Sequence, residues 1–337
     1  MAEILVEATR CGVVERHHRG DAAVVDVRGR VCHYAGDPFR YTYMRSAAKP
    51  LQALATVETG AMEAFGIDEE ELAVTCASHN AEPAHVAAVR SILAKVGLTE
   101  QSLRCGTHPP IDEDSRAALY REGGKPSAVH SNCSGKHAGM LASCVHMGWP
   151  ENDYRDPEHP LQRLLLRTVA EMAGVAVEDV GLGIDGCGVV VHAMPIAAMA
   201  LAFARLATRE GLSAERARAA GIVTGAMHAH PFMVAGTGRV CTALNGLPGG
   251  RFTSKGGALG VYCAAAVELG VGVAVKIEDG NGQAAQVAAL EALSQLGAFT
   301  EEDLRAVRDY HRPDNRNVHG QTVGEVRGVF QLRRTQL

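Results

Sequence analysis

Aromatic side chains are scarce in this chain: they make up 4% of its 337 residues and include a single tryptophan. A surface of rings for stacking unpaired bases is therefore not expected. Positive charge is not in excess either. Thirty-three Lys and Arg stand against 38 Asp and Glu, a formal net charge of -5, which gives no electrostatic case for nucleic acid or an anionic membrane. No run of about 20 uncharged apolar residues is present to span a bilayer. The opening Met1-Ala-Glu-Ile-Leu-Val-Glu7 lacks the basic region and apolar core of an export signal. The nine cysteines are dispersed and odd in number, with no Cys-x-x-Cys pair, so reduced thiols and a cytoplasmic location are expected. Internal repeats, low-complexity tracts and obvious linkers are also missing.

What is present is an ordinary globular composition, 47% hydrophobic and 21% charged, in a chain long enough for two lobes at roughly 100–200 residues each. Between Ile4 and Ala35, short apolar runs such as Ala22–Val27 and Val31–Tyr34, split by Arg28-Gly-Arg30, read as antiparallel strands with a tight turn. From Pro50 to about Ala220, apolar residues recur at helical spacing, as in Ala84–Val96 and Pro160–Ala173. Pro195–Leu206 is apolar nearly all round, the mark of a buried helix. Gly260–Leu269 and Val273–Ile277 read as a hairpin, followed by helices at Gln283–Gly297 and from Thr300, and a last strand at Val323–Leu332. The fold class expected is α+β. Residues 1–49 and 220–337 form a lobe with an antiparallel sheet, residues 50–219 a mainly helical lobe, and the active site lies between them.

Three segments carry unusual chemistry. In Arg45-Ser-Ala-Ala-Lys-Pro50 a hydroxyl and an amine stand three residues apart, side by side on a helical turn. A helix N-cap serine with a solvated lysine is the plain reading of such spacing. However, Pro50 is tolerated only in a helix's first turn, which puts Ser46 at a helix start where free N–H groups stabilise an oxyanion. Proline also disfavours α geometry at Lys49, so a distorted turn is expected there. Ser131-Asn-Cys-Ser-Gly-Lys-His-Ala-Gly-Met140 fails as a phosphate loop: His130 stands at the required first glycine, and His137 follows the lysine. Gly181-Leu-Gly-Ile-Asp-Gly186 matches the dinucleotide fingerprint in letters only, because a β-like stretch and not a helix follows it. It leaves Asp185 and Cys187 on a glycine-flanked turn. Taken alone, Cys133 and Cys187 read as buried free thiols before they read as zinc ligands.

Taken together, Tyr43–Gln52, Cys76-Ala-Ser-His-Asn80, Asn132–Met140 and Asp185-Gly-Cys-Gly188 resemble the signatures of the rhizobial-type L-asparaginases, the asparaginase II family. His230–Arg239 and Ser254-Lys-Gly-Gly257 extend the match, which runs in order over most of the chain. The resemblance implies a fold similar to serine β-lactamases and glutaminases. It also implies two catalytic Ser-Lys tandems, Ser46 with Lys49 and Ser78 with Lys255. A zinc ion is implied at Cys133, Lys136 and Cys187, with His137, Asp185 and Arg45 lining the site. The chain departs from the family pattern at Val189, where proline is frequent, and at Leu259, where Glu is common.

The mechanism expected is acyl transfer: Ser46 attacks the side-chain amide of L-asparagine, ammonia leaves, and water releases aspartate. Lys49 serves as base only when neutral, which burial and the neighbouring charges of Arg45, Lys136, Lys255 and zinc favour. Ser78 and Lys255 relay protons or supply the alternative nucleophile. Arg45 is expected to pair with the substrate α-carboxylate and Asp185 with its α-ammonium, while zinc tunes the site without generating hydroxide. The rival readings are a glutaminase or penicillin-recognising serine hydrolase, given the Ser-x-x-Lys, Ser-His-Asn and Lys-Gly-Gly order, and a non-catalytic asparagine or zinc sensor. A homodimer is the default for such a protein.

Overall fold

The computed structural model describes residues 2–335. Both ends of that stretch enter one antiparallel sheet. Its strands are β1 (Glu3–Arg10), β2 (Val13–Asp26) and β3 (Val31–Ala35) from the front of the chain. From the back come β7 (Phe252–Gly257), β8 (Val261–Ala266), β9 (Val271–Ile277), β10 (Asp314–Arg316), β11 (Thr322–Gly328) and the short β12 (Arg333–Arg334). The spatial order is β10-β11-β1-β2-β9-β8-β7, with β3 also on β2 and β12 on β3. The tight turn expected at Arg28-Gly-Arg30 joins β2 to β3, and the hairpin expected after Gly260 is β8–β9.

Every residue of β8 is buried, which requires cover on both faces of the sheet. The helix Ile196–Thr208 packs against β2, β8 and β9, and the helix Gly282–Gln295 against β1, β2, β8, β9 and β11. The first is the segment that reads as apolar all round: nearly all of it is buried, and Arg205 is its one half-exposed long polar chain. It belongs to the 50–219 stretch in sequence yet packs on the sheet. The second helix begins where Asn281 accepts the Ala284 N–H at 2.8 Å, satisfying an otherwise orphaned donor. At the sheet edge, the Asn245 side chain pairs with both backbone groups of Ser254, at 2.7 and 3.1 Å. That satisfies free backbone groups of the edge strand β7 and fixes the backbone next to Lys255.

The helical region holds Lys49–Glu58, Glu69–Thr75, Pro83–Lys95, Ser134–Met147, Pro160–Ala173 and Ala214–Ala229. Asp68 opens the second of these with a reciprocal capping box to Glu71. Into this region is set a second, three-stranded sheet that helical periodicity does not announce: β4 (Tyr41–Tyr43), β6 (Val190–Pro195) and β5 (Gly181–Ile184), in the order β4-β6-β5. The glycines of β5 are explained by what crosses them. A Cβ on Gly181 would lie 2.6 Å from the Tyr41 hydroxyl, and one on Gly183 would lie 2.8 Å from that of Tyr43. These glycines make room for rings and not for a pyrophosphate, and the strand runs into a turn. Among the described residues no helix is long and apolar enough to cross a membrane.

Candidate active site

The chain turns from β4 into a short 3-10 turn, Arg45–Ala48, which feeds the helix Lys49–Glu58 with Pro50 in its first turn. The distortion expected before the proline falls earlier than Lys49, which is α-helical at φ -59° and ψ -41°. Arg45 instead takes φ +53°, a strained value for a residue with a Cβ. Positions three apart eclipse in a 3-10 turn, so Ser46 and Lys49 share a side. Their side chains nevertheless do not bond to each other. The Lys49 amine donates to Ala77 O at 2.6 Å, to Ser78 Oγ at 2.9 Å and to Asn132 O at 3.3 Å. A buried amine needs hydrogen-bond partners, and the four-carbon stem reaches past Ser46 to find them. The Ser46 hydroxyl has no hydrogen-bond partner among the described residues and opens onto a cavity.

Ser78 is the meeting point. It follows the helix Glu69–Thr75, in a segment pinned where Ser78 N and Asn80 N donate to Val234 O and Ala235 O. From β7, Lys255 donates to Ser78 Oγ at 3.0 Å and to Gly256 O at 2.8 Å. Both lysines are at most 2% exposed. Burial, reinforced by the positive charges of Lys49 and Arg239, pushes Lys255 down to about 7 against the opposing thiols Cys241 and Cys133. Ser46, Ser78, Lys255, Asn132, Arg239 and Gln286 share the wall of a cavity of about 160 Å³ that carries no carboxylate.

A second cluster lies on the other side of Ser46. A Cβ on Gly135 would sit 2.1 Å from Val74 O. Only glycine lets the helix Ser134–Met147 lie that close to the helix Glu69–Thr75, and this places Lys136 inward. Its amine donates to Cys187 Sγ at 3.0 Å. Cys187 stands in the β5–β6 turn, closed by Gly188 N to Asp185 O. Cys133 and Cys187 act on each other's protons: Cys187 lowers the Cys133 thiol, and Cys133, with burial, raises that of Cys187. Burial disfavours a charged Lys136, but the sulfurs of Cys187 and Cys133 outweigh it and raise its affinity for the proton. Asp185 Oδ1 accepts Arg45 Nε at 2.9 Å and Arg45 Nη2 at 2.8 Å. Burial raises that carboxyl, yet Lys136, the Gly186 N–H and Arg45 together hold it below its usual range. Among the described residues no group of three His, Cys, Asp or Glu side chains is placed to hold a metal, so zinc here would need the lysine as its third donor.

Over residues 6–328 the chain matches the family described as L-asparaginase II. The chain belongs to the L-asparaginase II family. It is an amidohydrolase of the asparaginase type, acting on a small molecule. Among solved structures it is similar to a β-lactamase from Mycobacterium bovis, at 16% identity over 82% of this chain and 94% of that one, with a TM-score of 0.43. It is also similar to the native form of Mglu, at 15% identity over 85% and 67% of the two chains, with a TM-score of 0.44. No curated protein matches it.

In this asparaginase II fold, Arg45, Ser46, Lys49, Lys136 and Asp185 meet around a tight cleft with no room for a water molecule, and Ser46, Ser78 and Lys255 around the 160 Å³ cavity. Ser46 is on the wall of both. His137 is on neither: it is wholly buried, its Nδ1 2.5 Å from the Tyr154 hydroxyl. His192 does reach the Arg45 cleft, fully buried and, among the described residues, with no partner for either ring nitrogen. Burial and then Lys136 push it down to about 4. Arg239, Gln286 and His192 are site residues that sequence reading passed over. Only Arg239 gave a signal, as the last residue of the matched His230–Arg239 segment.

Proposed function

We propose that this chain hydrolyses the side-chain amide of L-asparagine to L-aspartate and ammonia through a serine acyl-enzyme. The observation that supports this most is Ser78 Oγ held at 2.9 and 3.0 Å by two buried lysines, in a cavity shared with the unpartnered hydroxyl of Ser46. A nucleophilic serine needs a base in reach, and Lys255, pushed down to about 7, is neutral enough near neutral pH to accept a proton. In this reading Ser46 attacks the amide carbon and its proton passes through Ser78 to Lys255. The C–N bond then breaks as Lys255 returns the proton to the leaving ammonia. Water attacks the ester by the same relay and frees aspartate. The substrate ammonium is kept for Asp185, whose Oδ2 has no protein donor among the described residues while Arg45 holds the other oxygen. Asp185 lies outside the lining of the 160 Å³ cavity, across Ser46, so the substrate would extend past Ser46 to meet it. The 160 Å³ cavity suits such a substrate, since pockets for drug-sized ligands run to about 300–1,000 Å³.

A second reading, that Ser78 itself attacks, draws on its direct contact with Lys255. Intact-protein mass spectrometry after rapid quenching separates the two. Absence of the +115 Da class of ester adduct, about the mass of an aspartyl group, in Ser46→Ala, with the adduct still formed but more slowly in Ser78→Ala, supports Ser46. An adduct absent in Ser78→Ala and present in Ser46→Ala supports Ser78. Ammonia release from asparagine, glutamine and a chromogenic β-lactam, measured side by side, tests the substrate. Asparagine binding without ammonia would instead favour a sensor.

The second cluster fits a zinc ion in its donor set: two sulfurs and an amine converge and are buried, with Lys136 and Cys187 already in contact. Cys133, Lys136 and Cys187 would hold it. When bound, it would supply a fixed positive charge beside Asp185 and Lys49, favouring deprotonated neighbours. The proton that Lys136 retains here would be displaced on binding.

A further inference from the structure

The reactive cavity has two cations on its wall, Lys255 and Arg239, and no anion. Lys255 is tied to Ser78. Arg239 has no task in the chemistry above. It stands in extended conformation just before the helix Val240–Asn245, and its guanidinium is aimed by one hydrogen bond, Nη1 to Asn80 Oδ1 at 2.6 Å. Asn80 is itself fixed, its amide donating to Thr237 O at 3.0 Å and to Glu82 Oε1 at 3.3 Å. The nearest acid in this network, Glu82, is taken up by the backbone N–H and hydroxyl of Thr237 at 2.8 and 2.7 Å. Among the described residues Arg239 has no ion-pair partner, and four of its five N–H donors are uncommitted. A half-buried guanidinium aimed into a cavity without carboxylates is built for an anion with planar oxygens. The other arginine of the site, Arg45, already directs two nitrogens at Asp185.

We propose that Arg239 anchors the α-carboxylate of the substrate, so that the enzyme takes amino-acid amides with a free α-carboxyl group and rejects those in which it is blocked or absent. This rests on the asparagine reading given above. It reassigns to Arg239 the partner that the sequence suggests for Arg45.

The test is binding without turnover. In a Ser46→Ala, Ser78→Ala protein, NMR titration compares L-asparagine with 3-aminopropanamide, the same molecule lacking the carboxylate. Arg239→Met in that background should weaken asparagine roughly 10- to 100-fold, the range for a charge-assisted contact, and leave 3-aminopropanamide unchanged. Arg239→Lys, which keeps the charge but loses the fork, should fall between. Equal weakening of both ligands would mark a merely structural role and overturn the proposal. An unchanged asparagine affinity would also overturn it, as would a carboxylate-specific loss that follows Arg45→Met. If asparagine fails to bind the parent protein, the inference falls together with the substrate reading. If it binds and ignores Arg239→Met, the inference falls alone.

Discussion

Lys255 and Lys136 are equally deep in this protein and are pushed in opposite directions. Lys255 is 2% exposed and Lys136 3%, so both pay the same kind of desolvation cost as cations. Lys255 meets a hydroxyl and a carbonyl, and the positive charges of Lys49 and Arg239 add to its burial against the opposing thiols Cys241 and Cys133, so that it falls to about 7. Lys136 meets two sulfurs and a carboxylate, and it rises. Burial sets the stakes; the neighbours decide the outcome. One fold thereby holds an amine that gives up its proton easily and one that keeps it, on either side of Ser46.

The sharpest way to break this contrast is Lys255→Met, which keeps the stem and removes the amine. If Lys255 is the base, kcat should fall by about 10²–10⁴-fold, read as ammonia released from asparagine. Its protonation should also shape the pH profile. With Lys255 at about 7, the neutral fraction grows as pH rises, so kcat/KM should climb near tenfold per unit below that point and level off above it. Lys255→Met should lose that rising limb. A limb that persists in the variant with the same midpoint would assign the base elsewhere.

The fold was legible because its signals are local. The hairpin β8–β9, the apolar Ile196–Thr208 helix and the contribution of both chain ends to one sheet follow from period and composition. The β4-β6-β5 sheet was not legible, because its ladders join Tyr41–Tyr43 to residues about 150 positions away, and its glycine strand reads as a ligand loop. In the candidate site, the residue types were readable from the motifs and the partnerships were not. Ser46 and Lys49 are neighbours in sequence, yet Lys49 bonds to Ser78. A flexible lysine stem picks its acceptor in three dimensions. The ion pair of Arg45 with Asp185 and the bond of Arg239 to Asn80 likewise span more than 130 positions and leave no trace in spacing.

A smaller effect is expected on the Lys136 side. If that cluster tunes the site, Lys136→Met should lower the zinc content measured by mass spectrometry and reduce kcat by about tenfold, the low end of the range for loss of a supporting group at a metal site. Chelation of the native enzyme should then leave most activity in place. Complete loss on chelation, restored by zinc, would place the metal in the chemistry and remove the division of labour between the two lysines.

The smallest effect isolates the cost of burying Lys255. Its folded value of about 7 lies below the 10.5 of the unfolded chain. Between those values the unfolded state binds more protons, so this group makes stability rise with pH. Below about pH 7 the amine is protonated in both states and its full desolvation cost weighs on the fold. That cost is relieved as pH rises from 7 toward 10.5. Lys255→Met has no such proton to take up. The difference in melting temperature, variant minus native, should therefore be largest at pH 6 and shrink by a few degrees toward pH 9, given about 1–2 °C per kcal/mol for a chain of this length. Titrating groups remote from Lys255 are common to both proteins and cancel in the difference. A difference that stays flat across that range would mean that Lys255 keeps its proton in the fold, and that the two lysines differ less than their surroundings suggest.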